Sequence, residues 1–349
     1  MAEIVLDGIA HSYDGGASHA LRPLTTTWTH GGTYALLGPS GCGKSTMLNI
    51  ISGLLRPSEG RVLFDGNDVT DRGTGQRNIA QVFQVPVIYR SMTVGENLGF
   101  PLVCRRVPAD RIKARVEAVA ERLGLASILR QRATALTADQ KQLVSLGRGL
   151  VREDVAAILL DEPLTVIDPQ MKLELRRILK EANVEFGVTM VLVTHDQTEA
   201  MAFARQVVVM NHGEVVQAGT PRELFERPAT RHVGYFIGSP AMNFLAARRE
   251  GDAIVSEAGL TLPAPVDVTG DGLMIGFRPE HASLGETGVP GRVERVWFEG
   301  LDGVVAVSLG NEGIRVRLDA RHPVAVGESV RVSVPGAALR LYAHDRLIA

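Results

Sequence analysis

One stretch, residues 38–46, restricts what this chain can fold into more than any other segment. It reads Gly-Pro-Ser-Gly-Cys-Gly-Lys-Ser-Thr and follows the apolar, strand-like run 34–37. A G-x-x-x-x-G-K-[ST] string between a strand and a helix is typical of a phosphate-binding loop. Its glycines permit backbone turns that side chains forbid, so that N–H groups at the helix start face an anion. We predict that this loop binds a nucleoside triphosphate.

Each residue of the loop is a candidate for nucleotide binding. Lys44 is long enough to reach the β- and γ-phosphates, and the Ser45 hydroxyl is a candidate ligand for Mg²⁺. The apolar residues after the loop recur at helical spacing and predict an amphipathic helix that includes Leu54 and Leu55. The predicted nucleotide-binding set of the loop is Gly38, Pro39, Ser40, Gly41, Cys42, Gly43, Lys44, Ser45 and Thr46.

The composition is that of a folded protein of 349 residues, long enough for two or three domains, with 45% hydrophobic residues. A net charge of −2 argues against nucleic acid as the main partner. We see neither a secretion signal nor an apolar run long enough to span a bilayer. Cys42 lies inside the phosphate loop, where a disulfide would be disruptive, so a reducing cytosol fits. We interpret Cys42 as a small tolerated side chain rather than a redox switch.

Polar side chains follow three predicted strands. Gln84 follows a short strand, Asp161 and Glu162 follow the unbroken apolar run 156–160, and His195 follows the run 189–194. Apolar runs of this kind are typical of strands that are buried on both faces of a parallel sheet, and they alternate here with predicted helices. We therefore predict an α/β sheet whose site lies at the carboxyl ends of its strands.

The polar groups at these strand ends suit phosphoryl transfer, which needs positioning and charge neutralisation. Asp161 is a candidate Mg²⁺ ligand, and Gln84 is a candidate ligand of Mg²⁺ or of water. Glu162 is placed to polarise the attacking water, and His195 to hydrogen-bond the γ-phosphate. We expect these functional roles rather than a solvated strand end or a structural histidine, because the groups follow core strands.

Tyr13 leaves two interpretations open. It follows a strand-like segment and precedes the turn at Gly15 and Gly16. An aromatic side chain here is either part of the core or a platform on which an adenine ring stacks.

The last third of the chain has a different pattern. Short Val-rich alternating runs between prolines predict a small all-β, barrel-like domain that follows a linker near residues 236–245. Helices are predicted over 110–124 and near 138–151, and a hairpin with an Asp-Gly turn within 61–70. The predicted domains are an ATPase domain over 1–235, with a helical subdomain at about 85–155, and a β-domain over 236–349.

These motifs, in this order, resemble the ATPase subunit of an ABC transporter over essentially the whole chain. Tyr13 resembles the aromatic loop, residues 38–46 Walker A, and Gln84 the Q-loop. The segments that resemble Walker B, the D-loop and the H-loop are residues 159–163, 165–168 with Asp168, and 194–196. The resemblance implies an ATPase that uses ATP and Mg²⁺, with Asp168 among the nucleotide-site residues. It also implies antiparallel β and helical subdomains and a C-terminal OB-like (TOBE-type) domain.

The resemblance has one clear departure. The family signature Leu-Ser-Gly-Gly-Gln reads here Leu136, Thr137, Ala138, Asp139 and Gln140. In the family, the signature of one subunit closes over the Walker A of the other, so a carboxylate at Asp139 repels the triphosphate by about 1 kcal/mol or more. The alternative is that Asp139 caps the helix that follows, and both can hold. The D-loop is also altered and reads Thr165-Val166-Ile167-Asp168.

This departure leads to the hypothesis that the chain pairs with an unlike ATPase subunit that has an intact signature. The resemblance extends to sugar and polyol importers, and is nearest to a subunit of bacterial glycerol importers. It implies two membrane permease subunits, one of which docks on residues 85–105, and a solute-binding protein. It also implies a peripheral position at the cytoplasmic face of a bacterial plasma membrane. The alternatives are a homodimeric sugar-importer ATPase, a binding-only regulatory subunit and, from another class, a soluble ABC protein of translation or DNA repair.

Overall fold

A mostly parallel sheet organises the first part of the molecule. The computed structural model describes residues 3–16, 18–165, 167–265, 268, 271–300, 302–319 and 324–348. The chain divides into two compact units, Met1–Pro221 and Arg222–Ala349. The predicted boundary near residue 235 stays a prediction. Val166 of the predicted D-loop lies outside the described residues.

The strand order of the sheet decides which loops meet. Its order is β10-β9-β3-β8-β7-β6, with parallel pairing except between β9 and β10. Because β3, β8, β7 and β6 are parallel neighbours, their carboxyl ends share one edge, as predicted. The strands are β3 (Thr33–Leu37), β6 (Ile79–Val82), β7 (Ala157–Asp161), β8 (Thr189–Thr194), β9 (Gln206–Asn211) and β10 (Glu214–Gly219).

A smaller antiparallel sheet packs with this one around a shared apolar core, in which Trp28 and Leu36 are buried. The turn at Asp65 and Gly66 joins β4 to β5 with positive φ at both residues, which confirms the predicted hairpin. The order is β2-β1-β4-β5, with β1 (Ile4–His11), β2 (Leu21–Trp28), β4 (Glu59–Phe64) and β5 (Asn67–Asp68).

Helices connect the strands, and those over 94–150 form a separate helical layer. The structure confirms the helices predicted over 110–124 and 138–151 to within a few residues. The helices are α1 (Lys44–Ser52), α2 (Thr74–Arg77), α3 (Val94–Cys104), α4 (Ala109–Arg122), α5 (Ala138–Leu150), α6 (Pro169–Phe186), α7 (Gln197–Phe203), α8 (Pro221–Glu226) and α9 (Arg231–Phe236), with single 3₁₀ turns at 126–128, 133–135, 279–281 and 336–338.

The helix after the phosphate loop is shorter than its apolar spacing predicts. Helix α1 ends at Ser52 because Gly53 takes a left-handed conformation with φ +79°. Leu54 is 55% exposed and Leu55 packs against the core from outside the helix. Their inclusion in the helical stripe was wrong, since a glycine C-cap interrupts the periodicity.

The second unit is antiparallel β-structure around its own core, as predicted. Among the described residues, its two sheets have the orders β13-β12-β11-β14-β20-β21 and β15-β19-β16-β17-β18. Their strands are β11 (Asn243–Glu250), β12 (Ala253–Ser256), β13 (Thr261–Pro263), β14 (Leu273–Phe277), β15 (Ser283–Gly285), β16 (Val289–Glu299), β17 (Asp302–Leu309), β18 (Glu312–Asp319), β19 (Ser329–Ser333), β20 (Arg340–Ala343) and β21 (Arg346–Leu347). The core includes Leu245, Phe277, Val305 and Leu341.

Candidate functional site

The phosphate loop, residues 38–46, runs from the end of β3 into the first turn of α1. Two of its glycines occupy positions that a side chain would obstruct. A Cβ on Gly38 would lie 2.3 Å from the carbonyl oxygen of Met210, and one on Gly43 would lie 2.5 Å from that of Ala20. Gly43 also has φ +100° and is the N-cap of α1. The loop therefore forms a narrow cradle whose helix N-terminus is open to an anion.

Lys44 is held inside this cradle. Its ammonium group donates hydrogen bonds to the carbonyl oxygens of Gly38 and Pro39, both at 2.8 Å, and only 5% of the residue is exposed. The neighbouring thiol of Cys42 is also buried, and burial raises its pKa. A thiol kept neutral in this way agrees with the interpretation of Cys42 as an inert loop side chain.

Tyr13 is not a core residue, because it is 67% exposed. Its hydroxyl lies 3.2 Å from the Thr46 hydroxyl, and its ring meets the His11 ring edge to face at 4.5 Å. The structure thus excludes the core interpretation and places an exposed aromatic ring beside the phosphate loop. This is the arrangement that base stacking requires.

Asp161 and Glu162 occupy the end of β7. Residues Asp161 and Val193 are paired across β7 and β8, and the N–H of Glu162 donates to the Val193 carbonyl at 2.9 Å. Glu162 has φ +45°, a left-handed conformation that is uncommon for a non-glycine residue. Such conformations persist where surrounding structure fixes them and cluster at functional sites.

Two causes raise the pKa of the Asp161 carboxyl. The larger is burial and the second is the neighbouring charge of Glu162, while the positive charge of Lys44 opposes them. A cation beside this carboxylate would relieve both penalties.

His195 follows β8 and meets Glu162 across the strand ends, with 3.3 Å between His195 Nδ1 and Glu162 Oε1. Thr165 donates a hydrogen bond of 3.3 Å to the other carboxylate oxygen. The structure therefore brings two predicted site residues together and supplies Thr165 as a second partner for the glutamate.

A buried relay behind His195 was missed by sequence reasoning. The Thr194 hydroxyl donates to Glu199 Oε2 at 2.7 Å and accepts from the N–H of Asp196 at 3.0 Å. Glu199 is 4% exposed, and its other oxygen pairs with Lys172 Nζ at 3.0 Å. The relay fixes the backbone on both sides of His195. The sequence offered one indication of this relay, a glutamate 5 residues after the end of a strand. Its partner Lys172 is too distant in sequence to be recognised.

The two remaining predicted site residues, Gln84 and Asp168, lie near other elements of the chain than Glu162 and His195 do. Gln84 is exposed just beyond β6, at the same sheet edge as Asp161. Asp168 is the N-cap of α6, where its side chain accepts hydrogen bonds from the N–H groups of Gln170 and Met171. The predicted role of Asp168 in nucleotide binding stays a prediction beside this capping role.

The altered signature, residues 136–140, forms the start of α5. Thr137 is the N-cap and forms a capping box with Gln140, whose N–H donates to the Thr137 hydroxyl at 3.2 Å. Asp139 is therefore not the cap, as one interpretation had it, but lies within the first helical turn. Leu136 is buried and Ala138 is exposed. A carboxylate in the first turn offsets the positive helix end that would otherwise attract a phosphate.

Comparison with known proteins assigns the chain to a family. Residues 21–165 match the ABC transporter family, residues 238–282 the MalK OB fold domain and residues 275–341 the TOBE domain. An uncharacterized ABC transporter ATP-binding protein, y4oS of Sinorhizobium fredii, is 39% identical over 95% of this chain and 90% of its own length. The chain belongs to the ATP-binding proteins of ABC transporters.

Other ABC relatives carry more specific names. The sn-glycerol-3-phosphate import ATP-binding protein UgpC of Salmonella choleraesuis is 38% identical over 96% of both chains. UgpC of Paracoccus denitrificans is 41% identical over 83% of this chain and 82% of its own. The solved structure of cbiO1 from Clostridium perfringens, part of the ABC transporter complex cbiONQ, has a TM-score of 0.60 at 30% identity. It matches 64% of this chain and 90% of that one.

These findings confirm two predictions from the sequence. The fold is an ABC-type P-loop ATPase followed by OB and TOBE domains, and the chain is a nucleotide-binding ATPase. Within the part of the chain that the structure describes, no helix combines the length and apolar character of a membrane span.

Proposed function

We propose that this chain hydrolyses ATP with Mg²⁺ to energise import of a glycerol-type solute, with sn-glycerol 3-phosphate as the first candidate. The observation that carries the catalytic part is the pairing of Glu162 with His195 beside the phosphate loop. The UgpC relatives, similar over most of their length, support the solute.

The residues of the loop suit a triphosphate. The cradle has no space for side chains at Gly38 and Gly43, and Lys44 already presents its charge inside it. On binding, Lys44 would exchange its two carbonyl partners for phosphate oxygens. Tyr13 would stack on the adenine ring from the exposed side of the loop.

The oxygen-bearing side chains at the strand ends also suit Mg²⁺. This ion prefers oxygen ligands and usually takes one or two from the protein and the rest from water and substrate phosphates. Among the described residues, no group of three or more acidic, His or Cys side chains forms a cage for a metal. The Ser45 hydroxyl, the Asp161 carboxylate and the Gln84 amide are the proposed ligands. A bound Mg²⁺ would neutralise charge on the phosphates. A cation beside Asp161 would favour its charged form, which burial and the charge of Glu162 disfavour.

Glu162 acts as the general base for the attacking water, and His195 orients that water and contacts the γ-phosphate. Thr165 and His195 each bind one oxygen of Glu162, so the carboxylate has a fixed direction before substrate arrives. The left-handed backbone of Glu162 breaks the extended conformation of the strand at this residue. Positioning of this kind lowers the barrier without covalent chemistry.

The chain works with a second ATPase subunit, which we propose is unlike it. The carboxylate of Asp139 stands in the first turn of α5, where a closing subunit would present its helix N-terminus to the partner's ATP. A partner with an uncharged signature would complete the site on this chain, whereas this chain's signature would serve the other site poorly. Two permease subunits and a solute-binding protein complete the importer, with this chain at the cytoplasmic face. The alternative is a homodimer.

The first experiment is ATP hydrolysis by the purified chain, alone and mixed with a candidate partner subunit. We expect low activity alone, and an increase with the partner that Glu162→Gln abolishes. Asp139→Gly should raise the activity of the chain alone by about fivefold, the equivalent of about 1 kcal/mol. Asp110→Gly is the matched control, since Asp110 also stands in a first helical turn, that of α4. High activity alone, unchanged by Asp139→Gly, would show a homodimer.

The solute is tested separately. The chain is expressed, alone and together with the candidate partner subunit, in a bacterium whose sn-glycerol-3-phosphate importer lacks its own ATP-binding subunit, and uptake of labelled sn-glycerol 3-phosphate and of labelled glycerol is compared. Restored uptake of the phosphate ester, dependent on Glu162, supports the proposed solute. No uptake of either compound, from a chain that hydrolyses ATP, contradicts it.

A further inference from the structure

A cavity of about 390 Å³ lies in the helical layer, between the end of α3, the start of α4 and the end of α5. We call it the arginine cavity. It belongs neither to the phosphate loop nor to the strand ends described above. Its charged lining residues are Arg105, Arg106, Arg111, Arg115, Glu153 and Asp154.

Positive charge exceeds negative charge around the arginine cavity. Arg105 pairs closely with Asp154, and Arg152, directly before the two acidic residues, approaches the same carboxylate at 3.5 Å. Five guanidinium groups, including that of Arg152, thus accompany the carboxylates of Glu153 and Asp154. Clustered like charges destabilise a fold unless an anion compensates them.

Two of the ion pairs are loose. The nearest distance from Arg111 to Glu153 is 3.7 Å and that from Arg115 to Glu153 is 3.9 Å, both longer than a hydrogen bond. Arg115 is instead anchored by the carbonyl oxygens of Val151 and Leu150 and by the Phe186 ring, 4.4 Å from its guanidinium carbon. Its planar group is therefore held in place, and one carboxylate serves two arginines.

Arg106 has an unfavourable backbone. Its φ is +56°, in the left-handed region that glycine and asparagine tolerate better than arginine. Across the described residues, Arg106 forms no ion pair within 4.0 Å. Arg106 therefore contributes a positive charge to the cavity lining that no carboxylate of the described residues neutralises.

Arg152, which stands next to this cluster in the chain, has a guanidinium nitrogen without a hydrogen-bond partner in the described part of the chain. Its Nη2 atom is buried and has no hydrogen-bond partner among the described residues. Burial, together with the charge of Arg105, lowers the pKa of Arg152. Arg152 does not line the arginine cavity, but it stands between Val151 and Glu153, which do, so its charge adds to the positive potential there.

We propose that the arginine cavity binds a phosphate-bearing anion. Guanidinium groups match phosphate oxygens in a bidentate geometry, and several arginines from different elements can share one phosphate. The volume is in the lower range of small-molecule sites, and Leu102 and Val151 supply an apolar floor for a short organic group. The phosphate belongs either to a free phosphate or phosphate monoester, or to the headgroup of an anionic lipid.

A fluorophore on Cys104 tests this proposal locally. Cys104 is exposed next to Arg105, whereas Cys42 is buried, so the label reports on the arginine cavity. The labelled full chain is titrated at constant ionic strength with inorganic phosphate, phenyl phosphate, and phosphatidylcholine vesicles with or without phosphatidylglycerol.

The comparison variant combines Arg106→Gly, which also relieves the left-handed strain, with Arg111→Gln. Lys113→Gln is the matched control, because it removes a positive charge from α4 outside the cavity lining. We expect saturable binding that is at least tenfold weaker in the double variant and unchanged in the control. A response to the soluble phosphates identifies a free ligand, and a response only to phosphatidylglycerol identifies a headgroup. No saturable response to any probe, or equal affinity in the double variant, would overturn the proposal.

Discussion

His195 Nδ1 and Glu162 Oε1 lie 3.3 Å apart, although the two residues follow different strands of the parallel sheet. For Glu162 to accept this hydrogen bond, the proton must be on Nδ1. If Nε2 is also to donate to a phosphate oxygen, the ring must carry both protons. The contact therefore fixes which ring nitrogen of His195 faces Glu162 and leaves Nε2 free to turn towards a phosphate.

Glu162→Gln should reduce ATP hydrolysis by about 100-fold or more, the usual contribution of a positioned general base, while nucleotide binding is retained. Glutamine keeps the shape but removes the basic carboxylate. Steady-state hydrolysis with the partner subunit, beside equilibrium binding of a fluorescent ATP analogue, measures both effects. Glu174→Gln on the exposed face of α6 is the control. Hydrolysis within threefold of wild type would refute the assignment.

Tyr13→Ala should weaken ATP binding by about tenfold, because stacking of a base on an aromatic ring contributes about 1–3 kcal/mol. Tyr13→Phe should bind nearly as well as wild type, since the ring remains and only the contact with Thr46 is lost. Titration with ATP and with inorganic triphosphate separates the base from the phosphates. Equal losses for Ala and Phe would point to the hydroxyl instead of the ring.

Thr194→Val should lower kcat several-fold with little change in KM, because Glu199 then loses the hydroxyl that fixes the strand end before His195. The variant should also lower the free energy of unfolding by about 1.5–3 kcal/mol, as expected for a hydrogen bond to a charged group. Thr194→Ser keeps the hydroxyl and should restore kcat. If serine and valine behave alike in kcat, the relay has only a structural role.

Gly43→Ala should abolish nucleotide binding and lower the free energy of unfolding, because the new Cβ would lie 2.5 Å from the Ala20 carbonyl oxygen. Gly41→Ala is matched to it: φ is also positive, at +78°, but the Cβ meets no atom within 4 Å. Gly41→Ala should therefore cost only the left-handed strain of about 1–2 kcal/mol. Urea unfolding and ATP titration of both variants measure the difference.

The sequence predicts the sheet and its functional edge well, because buried parallel strands are continuous apolar runs with polar residues at their ends. The run 189–194 is β8 without change. Where a single residue controls the backbone, periodicity fails: Gly53 ends α1 before Leu54. Likewise, the capping box of Thr137 and Gln140, and not Asp139, starts α5.

Pairings between distant segments could not be predicted. Lys172 and Glu199 belong to different helices, and a charge on an amphipathic helix is usually exposed to solvent. The left-handed conformation of Glu162 could not be predicted either, because glutamate has no preference for positive φ. Tyr13 remained undecided for a similar reason, since an aromatic residue after a strand suits both the core and the surface.

Lys44 is hydrogen-bonded to two carbonyl groups of its own loop, those of Gly38 and Pro39. The arriving phosphate must therefore compete with these carbonyls, and the net affinity from Lys44 is the difference between the two sets of contacts. An anion that offers Lys44 a single weak contact therefore gains little from it, whereas a polyphosphate that accepts several hydrogen bonds at once can replace both carbonyls.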